Sequence, residues 1–265
     1  MLTSVHNPLV KQLVSLQSRK GRDNSGEFLV EGRRSVEEIL LRDAPVKQVF
    51  LCPDLAPTAY QDWCRTECLR RGITYHEINE RVSAKISGTE QPQGVFAVLA
   101  QPSKDWLDFH LDRQTVILCV AGIQDPGNLG TILRTALAAG VTQIVLTTGT
   151  VDLYNPKVVR STLGTMLSQV ILVDVPAQDV LAFCRAQALP LIVADSRGES
   201  YAVAPHLQPP LVLVVGNEGN GVSPCLLQGA VALVQIPMRY QVESLNVSIA
   251  TGILLFEIVR RQQSL

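Results

Sequence analysis

Three segments in the second half of the sequence combine glycines with polar side chains directly after apolar runs. The first, DPGNLGTILRTALAAG, follows the run TVILCVAGI. Asn128 is predicted to cap the helix that begins there, and Gly127 and Gly130 would let a ligand approach its backbone. Arg134 is the one charged residue of the helix NLGTILRTALAAG. Its guanidinium could bind an anion, although a lone helix arginine is also an ordinary solvent-facing residue.

The second segment, LVLVVGNEGNGVSP, surrounds Glu218 with three glycines, and Ser223 is predicted to cap the next helix. Its glycine spacing is G-x-x-G-x-G, whereas the dinucleotide-binding fingerprint is G-x-G-x-x-G. The following strand ends at Gln235, Ile236 and Pro237, without an acid that would bind ribose hydroxyls. Both differences argue against a nucleotide-dependent oxidoreductase.

The third segment, IPMRYQVESLNVSIATG, places Ser244 and Asn246 at the start of the last predicted helix. The simplest interpretation is that Ser244 is the N-cap of this helix. The amides of a helix start, together with short polar side chains, also suit an anionic or hydroxylated ligand.

The elements that position these segments are predicted from a regular alternation that begins at Thr115. The runs TVILCVAGI, QIVLT, QVILV, PLIVAD, PLVLVVG and ALVQIPM are separated by helical patterns. Continuous Val, Ile and Leu strands are buried on both faces, which predicts a parallel sheet covered by helices. Ligands bind at the carboxyl ends of such strands. The last helix is apolar on nearly every side and is predicted to lie in a subunit interface.

The first half is predicted to form a smaller α/β domain over residues 1–103. Its pattern alternates helices with the strand candidates FLVEG, VKQVFLC, ITYHEI and GVFAVLA. The stretch AQPSKDWLDFHLDRQ interrupts the periodicity, so we predict a junction between Pro102 and Leu111 and a second domain over residues 104–265.

The composition describes a globular chain with no membrane span and no signal-peptide core, which predicts a cytoplasmic protein. Of 265 residues, 46% are hydrophobic and 18% charged. Residues 1–104 carry 14 Lys and Arg against 12 Asp and Glu, and the remainder carries 9 against 12, so the first half is only slightly basic. The six cysteines form no CxxC pair, which predicts free thiols and no metal site.

The residue patterns and the order of the three segments resemble the three motifs of the SpoU/TrmH family, which consists of RNA ribose 2′-O-methyltransferases of the SPOUT superfamily. The matching patterns are N-x-G-x-x-x-R-x-A from Asn128 to Ala136, V-x-G-N-E-x-x-G-V from Val214 to Val222, and I-P-M-x-x-x-x-x-S-L-N-V from Ile236 to Val247. The resemblance covers Leu118 to about Arg260, and NPKVVRSTLG is similar to the family's sequence between the first two motifs.

The first half has a looser resemblance to the ribosomal-protein-like RNA-binding domain of family members that act on ribosomal RNA. The similar segments are HNPLVKQLVSL, GEFLVEGRRSVEEIL and TEQPQGVFAVL. The resemblance implies large-subunit ribosomal RNA as the partner, with Arg22 and Arg33 as candidate RNA contacts.

For the C-terminal domain the resemblance implies a parallel sheet with a deep trefoil knot, an exception to ordinary chain topology. It also implies a homodimer with the site at the interface. The cofactor would be S-adenosylmethionine, held mainly by backbone groups at Gly216, Ile236 and Leu245.

The resemblance assigns catalysis to Arg134. Because a guanidinium hardly ever deprotonates in a protein, we expect Arg134 to stabilise the developing alkoxide and bind a neighbouring phosphate, and not to act as the base. Glu218 would orient Arg134, and the ribose and the arginine would be positioned by Asn128, Ser244 and Asn246.

Three alternatives remain from the sequence. The chain could methylate tRNA, it could be a non-catalytic RNA-binding or ribosome-assembly protein on the same fold, or it could be a nucleotide-dependent oxidoreductase. The intact polar positions of the three motifs argue against the second, and the glycine spacing argues against the third.

Overall fold

A computed structural model of the chain describes residues 1–42, 44–217, 219, 221–240 and 244–262. The chain forms two compact units. Unit 1 consists of Met1–Ser103 and Asp152–Leu167, and unit 2 consists of Lys104–Val151 and the residues from Ser168 onward. The chain therefore leaves unit 2 once, for a short segment that completes unit 1.

The first part of unit 1 is built from helices around a four-stranded sheet. Its elements are α1 (Pro8–Ser15), α2 (Arg19–Ser25), β1 (Glu27–Glu31), α3 (Arg33–Leu41), β2 (Val46–Leu51), α4 (Thr58–Arg70), β3 (Thr74–Glu77), α5 (Glu80–Ile86) and β4 (Val95–Ala100). The strand order is β1-β4-β2-β3, and β2 and β3 run parallel whereas the other neighbours run antiparallel. Phe50 and Phe96 are fully buried in a core shared with α1 and α5. Each of the four predicted strands is confirmed.

Unit 2 is built around a six-stranded parallel sheet with the order β10-β8-β9-β5-β6-β7. Its elements are a short 3-10 helix (Trp106–Asp108), β5 (Val116–Ala121), α6 (Pro126–Ala138), β6 (Gln143–Thr147), β7 (Val170–Val175), α8 (Ala177–Ala186), β8 (Leu191–Ser200), β9 (Leu211–Gly216), α9 (Pro224–Gly229), β10 (Ala232–Gln235) and α10 (Val247–Gln262), with α7 (Pro156–Thr162) of unit 1 between β6 and β7 in the chain. The predicted parallel sheet is confirmed, and every residue of β5 is buried because both faces of the sheet are covered.

The register of the central strands determines which loops meet. Val116 pairs with Leu211, and the pairing continues to Ala121 and Gly216. Strand β5 therefore ends level with β9, and β8 lies on the other side of β9. Because the strands are parallel, the loops that follow them leave the sheet at one edge.

The segment that includes α7 belongs to unit 1 in the structure, whereas the sequence placed it in the domain 104–265. Helix α7 packs on β1, with Val158 and Val159 buried. The ring of Tyr154 lies 4.8 Å from that of Phe28, centre to centre. Arg160 Nη1 lies 3.7 Å from the buried carboxylate of Glu31. Apolar contacts and an ion pair thus join this segment to the first hundred residues. Helical periodicity in the sequence gives no information on such contacts between distant segments.

Arg22 is a second point where the structure departs from the sequence interpretation. Its side chain is 3% exposed, donates a 2.8 Å hydrogen bond to the Leu16 carbonyl and forms an ion pair with Asp152. A guanidinium buried in this way cannot reach a phosphate, so the structure corrects the expectation that Arg22 contacts RNA. Its charge instead satisfies Asp152 and ties the segment that begins there to α2.

Arg33 remains accessible. It is the first residue of α3 and is half-buried. Its backbone amide donates to Gln93 Oε1, and its carbonyl accepts a hydrogen bond from the Tyr60 hydroxyl. These bonds fix the backbone, while the exposed Arg34 follows it in the chain.

Most of the cysteine side chains are buried. Cys225 is half-buried, and the other five cysteines are buried free thiols. Across the residues that the structure describes, no helix is long and apolar enough to cross a bilayer.

The burial of β5 predicts a large cost for truncating one of its leucines. Leu118 is fully buried, whereas Leu107 in the 3-10 helix is 92% exposed. We expect Leu118→Ala to lower the free energy of unfolding by about 2–5 kcal/mol, through lost burial and a residual cavity. Leu107→Ala should change it by less than about 0.5 kcal/mol. Urea unfolding followed by circular dichroism measures both, and equal midpoints for the two variants would contradict the buried position of β5.

Candidate active site

The loop after β5 is fixed at both of its ends. Gly122 adopts a φ of 69°, a left-handed conformation that suits glycine, and its amide donates to Thr150 Oγ1 at 3.1 Å. Helix α6 is capped by Asp125, whose Oδ1 accepts from the Asn128 amide at 2.8 Å. The prediction that Asn128 is the N-cap was wrong by three residues. Asn128 lies in the first turn, so its side chain is available to meet another segment.

The loop after β9 is a tight turn closed by its own backbone. Asn217 and Gly221 exchange two backbone hydrogen bonds, of 3.2 and 2.8 Å. The Asn217 side chain donates from Nδ2 to the Gly122 carbonyl at 3.0 Å, and its Oδ1 accepts from the Gly219 amide at 2.8 Å. Asn217 therefore ties the loop after β9 to the loop after β5. Sequence reasoning did not single it out, although it stands inside the second motif.

Gly216 is the position where this turn tolerates no side chain. A Cβ built on it would lie 2.5 Å from Val222 Cγ2 and 2.8 Å from the carbonyl carbon and oxygen of Gly221. Glycine is required here by close packing of the turn onto the end of β9. Glu218, predicted to orient Arg134, lies outside the described residues.

The third segment meets the first through two asparagines. Helix α10 begins at Val247, and Asn246 Oδ1 accepts from both the Ser248 amide, at 3.0 Å, and the Ser248 hydroxyl, at 2.6 Å. Asn246 thus caps this helix, and the expectation that Ser244 is the cap was wrong. Asn246 Nδ2 also donates to Asn128 Oδ1 at 3.0 Å. Two of the predicted site residues, 118 positions apart, are therefore in direct contact.

Close packing of α6 on α10 supports this contact. Gly252 faces α6, and a Cβ at that position would lie 3.2 Å from Thr135 Cγ2. The missing side chain lets the two helices approach each other and keeps their N-terminal ends together.

A cavity of about 260 Å³ is lined by residues of the second and third motif segments and of β8. Its lining includes Gly216, Ile236 and Leu245, the three residues predicted to bind the cofactor, and also Ser244. Apolar side chains such as Val222 form much of the wall. Such a lining, with a few polar groups at its rim, fits a ligand that has a flat apolar part and hydroxyl or charged groups.

Asp195, at the carboxyl end of the apolar part of β8, also lines the cavity and was missed by sequence reasoning. Its two oxygens accept from Arg197 Nε and Nη2, both at 2.8 Å, and Oδ1 also accepts the Arg197 amide at 2.9 Å. These side-chain bonds, followed by the backbone bond and the positive charge of Arg197, hold the pKa of the carboxyl below its usual range. Asp195 is therefore ionised at neutral pH. The signal was present as an acid directly after the run PLIVA.

Arg134 stands apart from this cavity. It is exposed on α6 and is not among the residues that line the cavity within the same chain. No hydrogen bond or ion pair to its guanidinium occurs within the part of the chain that the structure describes. The structure thus brings together Asn128, Asn246 and the cavity residues, and leaves Arg134 facing outward.

The packing at Gly216 generates a test of the cavity with a matched control in the same turn. A Cβ at Gly219 would meet Asn217 Oδ1 at 3.4 Å, an ordinary contact. We expect Gly216→Ala to displace the turn and weaken binding of S-adenosylmethionine, the ligand implied by the sequence, by about tenfold or more, equivalent to about 1.4 kcal/mol. Gly219→Ala should weaken it less than about twofold. Titration calorimetry measures both, and equal affinities for the two variants would exclude this cavity as the binding site.

Known proteins match the chain along its whole length. The Bacillus subtilis 23S rRNA (guanosine(2553)-2′-O)-methyltransferase RlmP is 33% identical, and the match covers 97% of this chain and 98% of that protein. An uncharacterised tRNA/rRNA methyltransferase of Synechocystis is 35% identical, over 99% of this chain and 94% of that protein. The crystal structure of an AdoMet-bound rRNA methyltransferase from Sinorhizobium meliloti superposes with a TM-score of 0.87 at 32% identity, covering 98% of this chain and 97% of that one.

Two family models match different parts of the chain. An MRM3-like substrate binding domain matches residues 7–97. The model of the SpoU rRNA Methylase family matches residues 115–256, which include all three motif segments and the residues that line the cavity. With the relatives that match it from end to end, this shows that the chain belongs to the SpoU rRNA methylase family.

Proposed function

We propose that this protein methylates a ribose 2′-hydroxyl of large-subunit ribosomal RNA and takes the methyl group from S-adenosylmethionine. The observation that carries the proposal is the cavity lined by the second and third motif segments, which is joined to the first segment by the hydrogen bond between Asn246 and Asn128. Support comes from the relatives, which include a 23S rRNA 2′-O-methyltransferase and an AdoMet-bound rRNA methyltransferase that each match nearly the whole chain.

The residues around the cavity fit this cofactor. Gly216 lets the turn after β9 pack closely on the strand end, and this turn forms part of the cavity wall. Ile236 and Leu245 would cover its apolar part, and Ser244 and Asp195 offer polar contacts. When bound, S-adenosylmethionine supplies an electrophilic methyl group, which leaves the protein to align the ribose and to handle the hydroxyl proton.

Arg134 is proposed to act on the RNA. Its exposed guanidinium stays charged at any physiological pH, so it suits stabilisation of the negative charge that develops on the 2′-oxygen and bidentate binding of an adjacent phosphate. Asn128 and Asn246 hold the starts of α6 and α10 in place, and Ser244 stands beside them at the cavity. An orienting role for Glu218 remains a prediction.

Unit 1 is proposed to bind the ribosomal RNA. The match of residues 7–97 to a substrate binding domain supports this role. Arg33, at the accessible start of α3, is the proposed phosphate contact in place of the buried Arg22. The presence of this domain favours ribosomal RNA over tRNA, because the shortest tRNA enzymes that the sequence resembles lack it. We also propose that the protein acts in the cytoplasm.

We propose a homodimer because a second copy of the chain would account for two features of a single chain. The apolar side chains of Ile249 and Phe256 on α10 are 55% and 51% exposed. Arg134 does not line the cavity of its own chain. A two-fold interface that covers α10 could bring Arg134 of one subunit to the cavity of the other. We also propose that the family's trefoil knot is present in unit 2.

Substitutions of Arg134 separate chemistry from RNA binding. We expect Arg134→Ala to lower the single-turnover methylation rate at saturating RNA by about a hundredfold or more, as for the loss of one oxyanion donor. Arg134→Lys should recover little of the rate, because an ammonium lacks the planar two-pronged geometry. Affinity for S-adenosylmethionine should stay within about twofold, because the proposed cofactor contacts come from Gly216, Ile236 and Leu245 and not from Arg134.

The matched comparison is Arg33→Ala in unit 1. It should weaken RNA binding and lower its dependence on salt, while the single-turnover rate at saturating RNA stays close to that of the unmodified protein. A near-normal rate for Arg134→Ala under the same conditions would reduce Arg134 to a surface residue.

A mixing experiment tests the shared site. Arg134→Ala and Gly216→Val chains are each expected to be inactive alone, one for lack of the guanidinium and the other because the added side chain displaces the turn that lines the cavity. In a two-fold dimer with a shared site, each mixed dimer keeps one intact pair of Arg134 and cavity, so equal mixing should restore about a quarter of the activity. Subunit exchange is verified by mass photometry or light scattering with tagged chains. No recovery after verified exchange would mean that each chain completes its own site.

A further inference from the structure

We propose that Asp195 makes the cavity select the methyl donor over its demethylated product, and that Arg197 moderates this selection. The inference rests on the proposed function, because it takes S-adenosylmethionine as the ligand of the cavity. It concerns a residue outside the three motifs, and it assigns that residue to discrimination between two ligands of the same site.

The first observation is that Asp195 lines the cavity. Among the described residues that line the cavity, it is the one with a charged side chain, and the others are apolar, amide, hydroxyl or glycine residues. Its carboxylate is 15% exposed, so it lies largely within the protein. A charge at a largely apolar wall contributes to the potential in the cavity, since apolar groups screen it less than water does.

The ion pair with Arg197 sets the direction of the field. Both carboxylate oxygens accept hydrogen bonds from the guanidinium, which fixes the side chain of Asp195. The Arg197 side chain is 67% exposed, so water screens its charge more than that of Asp195. The negative member of the pair therefore lies at the cavity, and the positive member lies toward solvent.

The two ligands differ in charge at one atom. S-adenosylmethionine carries a sulfonium, an ammonium and a carboxylate, for a net charge of plus one. When the methyl group leaves, the sulfur keeps the electron pair of the broken bond and becomes a neutral thioether, while the ribose oxygen gains the methyl and releases its proton. The product, S-adenosylhomocysteine, is therefore net neutral and otherwise offers the same groups.

A carboxylate at the cavity consequently favours the donor. Because Asp195 is partly exposed and partly neutralised by Arg197, we expect the charge to be worth about fivefold in the ratio of product to donor dissociation constants. Selection of this kind eases exchange of spent cofactor for fresh donor after each turnover. It acts through an equilibrium difference, so it is visible without any RNA.

The test is titration calorimetry of the full chain with three ligands: S-adenosylmethionine, S-adenosylhomocysteine, and sinefungin, an analogue with an ammonium in place of the sulfonium methyl. Asp195→Asn should lower the product-to-donor ratio of dissociation constants about fivefold and weaken sinefungin as it weakens the donor. Arg197→Gln should raise the ratio, because it removes the neutralising cation. Ser196→Ala, which alters the uncharged neighbour at the same wall of the cavity, should leave the ratio unchanged.

The proposal is wrong if Asp195 contacts only groups that donor and product have in common. If Asp195 only held the ribose or the amino group, Asp195→Asn would weaken donor and product together, and an unchanged ratio overturns the proposal. The unmodified protein provides a second measurement that needs no variant: its ratio should fall when sodium chloride is raised from about 20 mM to about 500 mM, and a constant ratio also overturns it. Absence of binding of all three ligands to the unmodified protein would instead refute the cofactor assignment.

Discussion

The in-register pairing of β5 with β9 is the constraint on which the site depends. It runs from Val116 and Leu211 to Ala121 and Gly216, so two loops almost a hundred residues apart begin at the same height. The side chain of Asn217 can then reach the Gly122 carbonyl across the strand ends. A shift of one residue in this pairing would turn each side chain of the strand to the opposite face and would separate these two groups. The polar site therefore depends on the buried, apolar strands that fix the register.

Helix packing extends this alignment to the third segment. Helix α10 packs against α6 at Gly252, and the hydrogen bond between Asn246 and Asn128 joins the two helix starts. The asparagines therefore have a structural task as well as a proposed positioning one. Arg134 has no such structural task among the described residues of one chain, which fits a side chain that contacts another molecule.

How far the sequence predicts the fold depends on whether the signal is local. The apolar runs of unit 2 are local, and each corresponds to a strand of the sheet. The helix caps show the limit: Asp125 competes with Asn128, and Asn246 with Ser244, for the same role, and only the course of the backbone decides between them. In the first case the order Asp-Pro was the better signal, because proline favours the position directly after a cap.

The remaining differences arise from contacts between distant residues. Arg22 stands in a basic, polar stretch that is typical of surface, yet its partner Asp152 lies 130 positions away. Asp195 lacks any motif and joins the site only because β8 lies next to β9 in the sheet. The three motif segments could be assigned from the sequence because their residue patterns and their order match those of the family. Neither Arg22 nor Asp195 belongs to a motif.

The return of residues 152–167 to unit 1 has a consequence for how the protein is made. The chain crosses between its two units three times, so unit 1 is not complete when residue 103 leaves the ribosome. Until Asp152 is synthesised, the guanidinium of Arg22 lacks the carboxylate that it contacts in the finished fold. Strands β5 and β6, which precede this segment, are meanwhile already available. Synthesis therefore interleaves the two units in time, because the last segment of unit 1 is made only after residues 104–151 of unit 2.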